Sequence, residues 1–338
     1  MSTLNDAVAK IAEGRNLTGQ EAALAMNEIM SGEAPEALIA GFLIGLRVKG
    51  ETAEEIAGCA GVLRSRAVTI RTKHRNVVDT CGTGGDGLGT FNISTTAAII
   101  ASGAGVPVAK HGNRAVSSAC GSADVLSALG VKIDVGPEKA AEILDEIGIT
   151  FLFAPLMHSA MRHAAKVRKE LGVRTIFNIL GPLANPAGSK RQVLGVYDSR
   201  MGQKMAEALL EIGSEHALVV HGEGGMDELS VLGKTLVWEL RKGEIRQYSV
   251  DASDFGFPKS SISELRGDSP AGNAEITRSI LSGRSGAPKD VSLINAAGAI
   301  LVSGLAETLA EGIEMARESV GSGRAARKLQ DWISSSNS

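Results

Sequence analysis

The chain has 338 residues, 43% of them hydrophobic, and sets 35 Lys and Arg against 38 Asp and Glu, a formal net charge of −3. That content supports a sizeable core, in two domains or one large α/β domain with an appendage, and the balanced charge gives no field for whole-chain nucleic-acid binding. Three cysteines without a CxxC pair (Cys59, Cys81, Cys120), a polar amphipathic N-terminus and interrupted apolar runs exclude a disulfide framework, a thiolate metal site, a signal peptide and a membrane span, so the expected setting is cytoplasmic.

From Leu4 to about Arg71 apolar residues recur at helical spacing, with Gly14, Gly32 and Gly50 where helices should stop, which predicts four short helices. Two of them start with a capping-box pattern, Thr18 with Glu21 and Thr52 with Glu55. After Arg71-Thr72-Lys73-His74-Arg75 the chain changes to short apolar runs alternating with helical patterns, an α/β signature. Strands are predicted at Val77 to Asp79, Val106 to Ala109, Thr150 to Phe153, Gln192 to Tyr197 and Ala217 to Val220, mostly parallel. Leu236 to Leu240 and Ile245 to Val250 read as an edge hairpin, and the chain from Ser263 onward as helical.

Four segments carry chemistry. Asp79-Thr80-Cys81-Gly82-Thr83-Gly84-Gly85-Asp86-Gly87-Leu88-Gly89-Thr90-Phe91-Asn92-Ile93-Ser94-Thr95-Thr96 joins a predicted strand to a predicted helix. Its glycines let backbone amides approach a phosphate, and the helix N-terminus adds a favourable dipole. It is neither a GKS/T P-loop nor a GxGxxG fingerprint, which disfavours a nucleotide hydrolase and a Rossmann dehydrogenase.

The next segment, Lys110-His111-Gly112-Asn113-Arg114-Ala115-Val116-Ser117-Ser118, reads as a loop with two cations and an amide. Alone, such cations would be solvated surface charges; beside a glycine cradle they suit pyrophosphate. His158 to Gly172 reads as one helix, with His158, Arg162 and Lys166 on one side and Arg168 pointing elsewhere. Finally, Asp227 and Glu228 stand side by side in a glycine-rich loop after a strand, a pattern suited to Mg²⁺ held between carboxylates and substrate phosphates. As loop acids they should be dispensable for stability.

These motifs, with Arg168-Lys169-Glu170-Leu171-Gly172 and Asn178-Ile179-Leu180-Gly181-Pro182, occur in the order found in anthranilate phosphoribosyltransferases, which the chain resembles along nearly its whole length. The resemblance implies a small N-terminal helical domain (1–75, joined by helices from about 158–182) and a large α/β domain (76–338) with a mostly parallel central sheet and helices around it. It implies transfer of the phosphoribosyl group of 5-phosphoribosyl-1-pyrophosphate (PRPP) to anthranilate, in tryptophan biosynthesis, by a homodimer that uses Mg²⁺ and no covalent nucleophile.

Carried over residue by residue, PRPP would meet Gly82, Gly85, Asp86, Thr90, Asn92, Ile93, Ser94, Thr95, Lys110, His111, Gly112, Asn113, Arg114, Ala115, Val116, Ser117, Ser118 and Ser122. Anthranilate would meet Gly82, Asn113 and Arg168, and the metal Ser94, Asp227 and Glu228. Many members carry proline where this chain has Ser159 and Lys166, a departure beside the aromatic-substrate tunnel. A nucleoside phosphorylase, which resembles this architecture, would need a further C-terminal domain for which the chain is too short. A non-catalytic nucleic-acid-binding relative would not need the acid pair and the full glycine loop.

Overall fold

The computed structural model describes residues 2–115 and 119–338. Four helices open the chain, α1 (Thr3–Ala12), α2 (Gly19–Ser31), α3 (Glu36–Lys49) and α4 (Ala53–Arg66). Both predicted capping boxes form: the Thr18 and Thr52 hydroxyls accept the N–H of Glu21 and Glu55, whose carboxylates accept the threonine N–H groups in return. Gly32 closes α2 in the left-handed conformation at φ 83°. Glu55 is fully buried yet satisfied, accepting the Leu17 N–H at 2.8 Å and pairing with Lys49 at 2.9 Å.

The rest alternates strands and helices: β1 (Val78–Gly82), α5 (Ile93–Gly103), β2 (Val108–Gly112), α6 (Ser122–Leu129), α7 (Pro137–Ile147), β3 (Ile149–Phe153), α8 (Ala154–Met157), α9 (Arg162–Leu171), α10 (Phe177–Leu180), β4 (Arg191–Gly195), α11 (Gly202–Glu211) and β5 (His216–Gly222). The hairpin β6 (Lys234–Arg241) and β7 (Glu244–Asp251) follows, then α12 (Pro270–Leu281), α13 (Ala287–Ser303), α14 (Leu309–Gly321) and α15 (Arg324–Asn337). The seven strands lie in the order β3-β2-β1-β4-β5-β6-β7, the first five parallel and the last two antiparallel. The hairpin turns through Lys242 and Gly243, both at positive φ, which matches the twist of its strands.

Because β1, β2 and β3 run one way across the sheet and β4 returns to the other side of β1, the strand order reverses between β1 and β4. Ligands of open α/β sheets bind at the carboxyl ends of strands at such a point. One apolar core lies between the sheet and α5, α7 and α13, with α14 packed outside α13 and α5. The second is shared: α1 to α4, α9, α10 and α11 bury side chains together with Leu194, Val219, Trp238 and Leu240 on the opposite sheet face.

Two sequence readings need correction. β2 runs on through Lys110, His111 and Gly112, expected in a loop, because parallel pairing with β3 carries the ladder to Gly112↔Phe153. His158 to Gly172 is not one helix. His158 breaks it at φ −127°, ψ 61°, a short 3₁₀ turn spans Ser159–Met161, and α9 begins at Arg162. His158 therefore shares no helical face with Arg162 and Lys166. It is buried, whereas Lys166 is exposed and pairs with Glu36 of α3 at 2.8 Å.

Candidate active site

The glycine segment leaves β1 at the switch point and returns as α5, with Gly84, Gly85, Gly87 and Gly89 all at positive φ. Residues bulkier than glycine are strained there. The acid pair closes on it from the loop after β5: Asp227 Oδ2 accepts the Gly84 N–H at 2.8 Å and Glu228 Oε1 accepts the Ser94 N–H at 3.1 Å. A Cβ on Gly82 would fall on the Asp227 carboxylate, so the two segments meet only because residue 82 is glycine.

Asn295 of α13 fixes the strand of chain just after the acids, accepting the Leu229 N–H at 2.9 Å and donating to the Leu229 carbonyl at 2.8 Å. The two acids, read from the sequence as metal ligands on a loop, thus also fasten the glycine segment through these two backbone contacts. Burial, then the charge of Asp86, pushes the Asp227 carboxyl above the usual carboxylate range. Burial, then the charge of Asp227, does the same to Glu228.

Strand alternation separates the next residues by face. Lys110 points toward α5, 1% exposed, and its ammonium donates to the Thr80 carbonyl and, at 3.2 Å, to the Ser94 hydroxyl. Burial pulls its pKa down against the opposing pull of Asp79. His111 points to the opposite face, 5.0 Å from the His158 ring. Burial lowers the His111 pKa to about 3 and lowers that of His158, so both imidazoles are neutral near pH 7. Their Nε2 atoms are buried without a hydrogen-bond partner among the described residues.

Both histidines line a cavity of about 590 Å³ whose wall also includes Gly82, Asn113, Met161, Ala165, Arg168 and Phe177. Ser159, one of the two proline departures, lines it too, while Lys166 does not. The Arg168 guanidinium stands 4.9 Å from the Phe177 ring centroid and has no carboxylate partner among the described residues. Burial lowers its pKa, the mark of a cation with little solvent and no counter-ion.

The loop after β2 is braced by a residue that the sequence motifs do not reveal. Asp124 accepts the N–H groups of Ala115 at 2.9 Å and Gly121 at 3.0 Å and pairs with Arg114 at 2.8 Å. Arg114 remains more than half exposed in this pair, and the Ser122 hydroxyl donates to the Asn113 carbonyl at 3.3 Å. Asn92 accepts from Asn273 of α12 at 2.9 Å and donates to the Cys120 carbonyl at 3.2 Å, which fixes the start of α5. Ile93 is buried in the core, so only its backbone can meet a ligand, and the Thr95 hydroxyl is buried without a partner among the described residues. Thr90 forms a backbone bridge to Arg266, and the Asp86 carboxylate accepts the Leu88 N–H at 3.1 Å. Val116, Ser117 and Ser118 lie outside the described residues.

Among the described residues no three His, Cys, Asp or Glu side chains form a metal cage of their own. The donors that do converge, two carboxylates beside a hydroxyl, are hard oxygens whose charged forms burial and mutual repulsion disfavour until a cation arrives. They fit Mg²⁺ that completes its shell with water and phosphate oxygens.

A glycine-and-amide anion cradle at the switch point, an acid pair against it and an adjoining apolar cleft with an unpaired guanidinium define an enzyme that joins a phosphorylated substrate to a small, flat, anionic one. The model of the glycosyl transferase family helical bundle domain matches residues 5–67, and that of the family's a/b domain matches residues 74–326. The anthranilate phosphoribosyltransferase of Moorella thermoacetica is 51% identical over 326 residues, covering 96% of each chain. The crystal structure of the Thermus thermophilus enzyme of that name is 43% identical with a TM-score of 0.93, over 98% of this chain and 100% of that one. The Saccharomyces cerevisiae enzyme in complex with PRPP and Mg is 32% identical with a TM-score of 0.91, over 99% and 98%. The chain belongs to the anthranilate phosphoribosyltransferase family.

Proposed function

We propose that this chain transfers the 5-phosphoribosyl group of PRPP to the amine of anthranilate, releasing pyrophosphate, as a step of tryptophan biosynthesis. The observation that carries the reading is Arg168, a partly buried guanidinium without a carboxylate partner among the described residues, in an apolar cleft that opens at Gly82 onto the phosphate cradle. A small aromatic carboxylate satisfies both the charge and the apolar wall.

The amides of the glycine loop and of the start of α5 bind the pyrophosphate, and the buried Lys110 charge behind Ser94 helps offset the charge that accumulates on it as the C1–O bond breaks. Asp227, Glu228 and Ser94 would hold Mg²⁺, which when bound neutralises pyrophosphate and makes it a better leaving group. Arg168 and Asn113 orient anthranilate so that its amine faces C1 from the side opposite the leaving group. The neutral His111 and His158 supply polar positions without adding cationic charge to the cleft. The chemistry is positioning and electrostatics, with no covalent intermediate on the protein.

Residues 1–75 with 158–182, and 76–338, are proposed as the two units that meet at this cleft. Leu24 and Val48, 46% and 81% exposed on α2 and α3, support a homodimer through the helical unit. Among the described residues no helix is long and apolar enough to cross a membrane. A cytoplasmic location and the lack of a nucleic-acid partner are part of the same proposal.

Mixing the chain with PRPP, Mg²⁺ and anthranilate should remove the anthranilate fluorescence, and omitting either PRPP or Mg²⁺ should stop the loss. Phosphate-dependent cleavage of a nucleoside in place of this reaction would refute the reading. A monomeric mass by light scattering would refute the dimer.

A further inference from the structure

Arg174 lies between α9 and α10, outside every motif named above. Its guanidinium donates to the carbonyl of Gly85 in the middle of the glycine loop. Its Cζ stands 4.3 Å from the centroid of the Tyr197 ring, just beyond the end of β4. Its own carbonyl accepts a hydrogen bond from Arg47 of α3 at 2.8 Å. A Cβ on Gly85 would fall on this guanidinium and displace it, and the φ of +77° independently favours glycine there.

The contact matters because of what surrounds it. Gly84, Gly85, Gly87 and Gly89 all take positive φ, and a run so rich in glycine loses much conformational entropy when it is ordered. Asp227 holds the same backbone from outside one residue earlier, at Gly84. In a trans peptide the carbonyl and the following N–H point to opposite sides. Holding the Gly85 carbonyl therefore fixes the direction of the Asp86 N–H, one of the amides at the loop's crown.

We propose that Arg174 is a positioning residue for the phosphate-binding loop, clamping the Gly85–Asp86 peptide from the segment that also walls the aromatic cleft. A planar fork suits this role, since it lies flat on Tyr197 while its edge reaches the carbonyl, which an ammonium on a flexible stem cannot reproduce. The Arg47 contact ties the clamp to the helical unit, so the loop is ordered before its ligand arrives, and that ordering appears as affinity for the pyrophosphate substrate.

The proposal rests on the reading of the glycine loop as the PRPP cradle, and wild-type activity with PRPP and anthranilate tests that reading separately. Arg174→Ala should raise the KM for PRPP about tenfold or more, the worth of a charge-assisted hydrogen bond. It should leave the anthranilate KM within about twofold, and calorimetry of PRPP with Mg²⁺ in the absence of anthranilate should show the same weakening. Arg174→Lys should keep at least about half of that loss on a logarithmic scale, and Tyr197→Leu should move the PRPP KM in the same direction by less. An unchanged PRPP KM in Arg174→Ala, an equal rise in both KM values, or full recovery in Arg174→Lys would overturn the proposal, the last because charge alone would then suffice.

Discussion

The phosphate cradle and the aromatic cleft meet at Gly82, yet they are made in different ways. The cradle is built mainly from one stretch of backbone: residues 82–95 supply its amides, and distant residues such as Asp227 and Glu228 only fasten it. The cleft has almost no local origin. Its wall takes Leu63 from α4, Cys81 from β1, His111 from β2, Pro155 from α8, Arg168 from α9 and Phe177 from α10, brought together by the fold. A site made of backbone keeps its identity wherever its glycines are kept, whereas a site made of assembled side chains can be retuned one residue at a time.

The largest effect should come from the fasteners of the cradle. Asp227→Ala combined with Glu228→Ala should lower Mg²⁺-dependent turnover by about a thousandfold, roughly 4 kcal/mol of lost charge stabilisation, and shift the requirement to higher Mg²⁺. The folded fraction should change much less, because the variant loses two hydrogen bonds to loop amides but also loses the repulsion between two half-buried acids. An unaltered Mg²⁺ response would place the metal elsewhere.

Arg168→Ala tests whether the cleft is energetically separate from the cradle. It should raise the anthranilate KM by about 10- to 100-fold, corresponding to about 1.5–3 kcal/mol for a charged hydrogen-bonding partner, with the PRPP KM nearly unchanged. Equal changes in both constants would merge the two sites into one.

Asn295→Ala probes the cradle from behind. It would leave the buried N–H and C=O of Leu229 without their partner, at a cost of about 1–3 kcal/mol. Thermal unfolding should register that loss, together with a higher Mg²⁺ requirement and an anthranilate KM near that of the wild type. A stability loss with an unchanged Mg²⁺ requirement would separate the helix behind the acids from the function of the acids.

The smallest effect concerns Asp124. Burial pushes its carboxyl up, but the N–H groups of Ala115 and Gly121 and the Arg114 guanidinium outweigh burial and hold it below the ordinary carboxylate range. A depressed folded pKa means that this contribution to stability is complete above the unfolded carboxylate value and is lost as pH falls through the lower folded value. Asp124→Asn should therefore flatten part of the acid limb of the melting temperature against pH and raise the PRPP KM by about two- to fivefold. An acid limb identical to that of the wild type would show that the brace carries no charge-dependent stability.

The same contrast explains what the sequence made legible. The capping boxes at Thr18 and Thr52, the glycine loop and the edge hairpin follow from residues a few positions apart, and they are where local reasoning expects them. Lys110 and His111 read as loop residues because a strand ending in Lys-His-Gly looks solvated, and only pairing with β3 reveals them as opposite faces of one buried strand. The break at His158 has no proline or glycine to announce it. Asp124, Arg174 and Asn295 act on backbone 3 to 89 positions away in the chain, and nothing local distinguishes them from an ordinary helix acid, a surface cation and a buried helix amide.

The core that the opening helices share with the outer half of the sheet bears on how such chains can be recombined. Leu194, Val219, Trp238 and Leu240 share one core with the opening helices, with residues 164–184 and with α11, which lies on β5 and β6 and packs against α4, so a crossover between relatives near residue 70 would match a bundle from one parent with the layer beneath it from another. Hybrids made there should survive only when 157–184 and the strands beneath them come from the same parent as the bundle. The unit of exchange in this architecture is the packed layer and not the stretch of sequence.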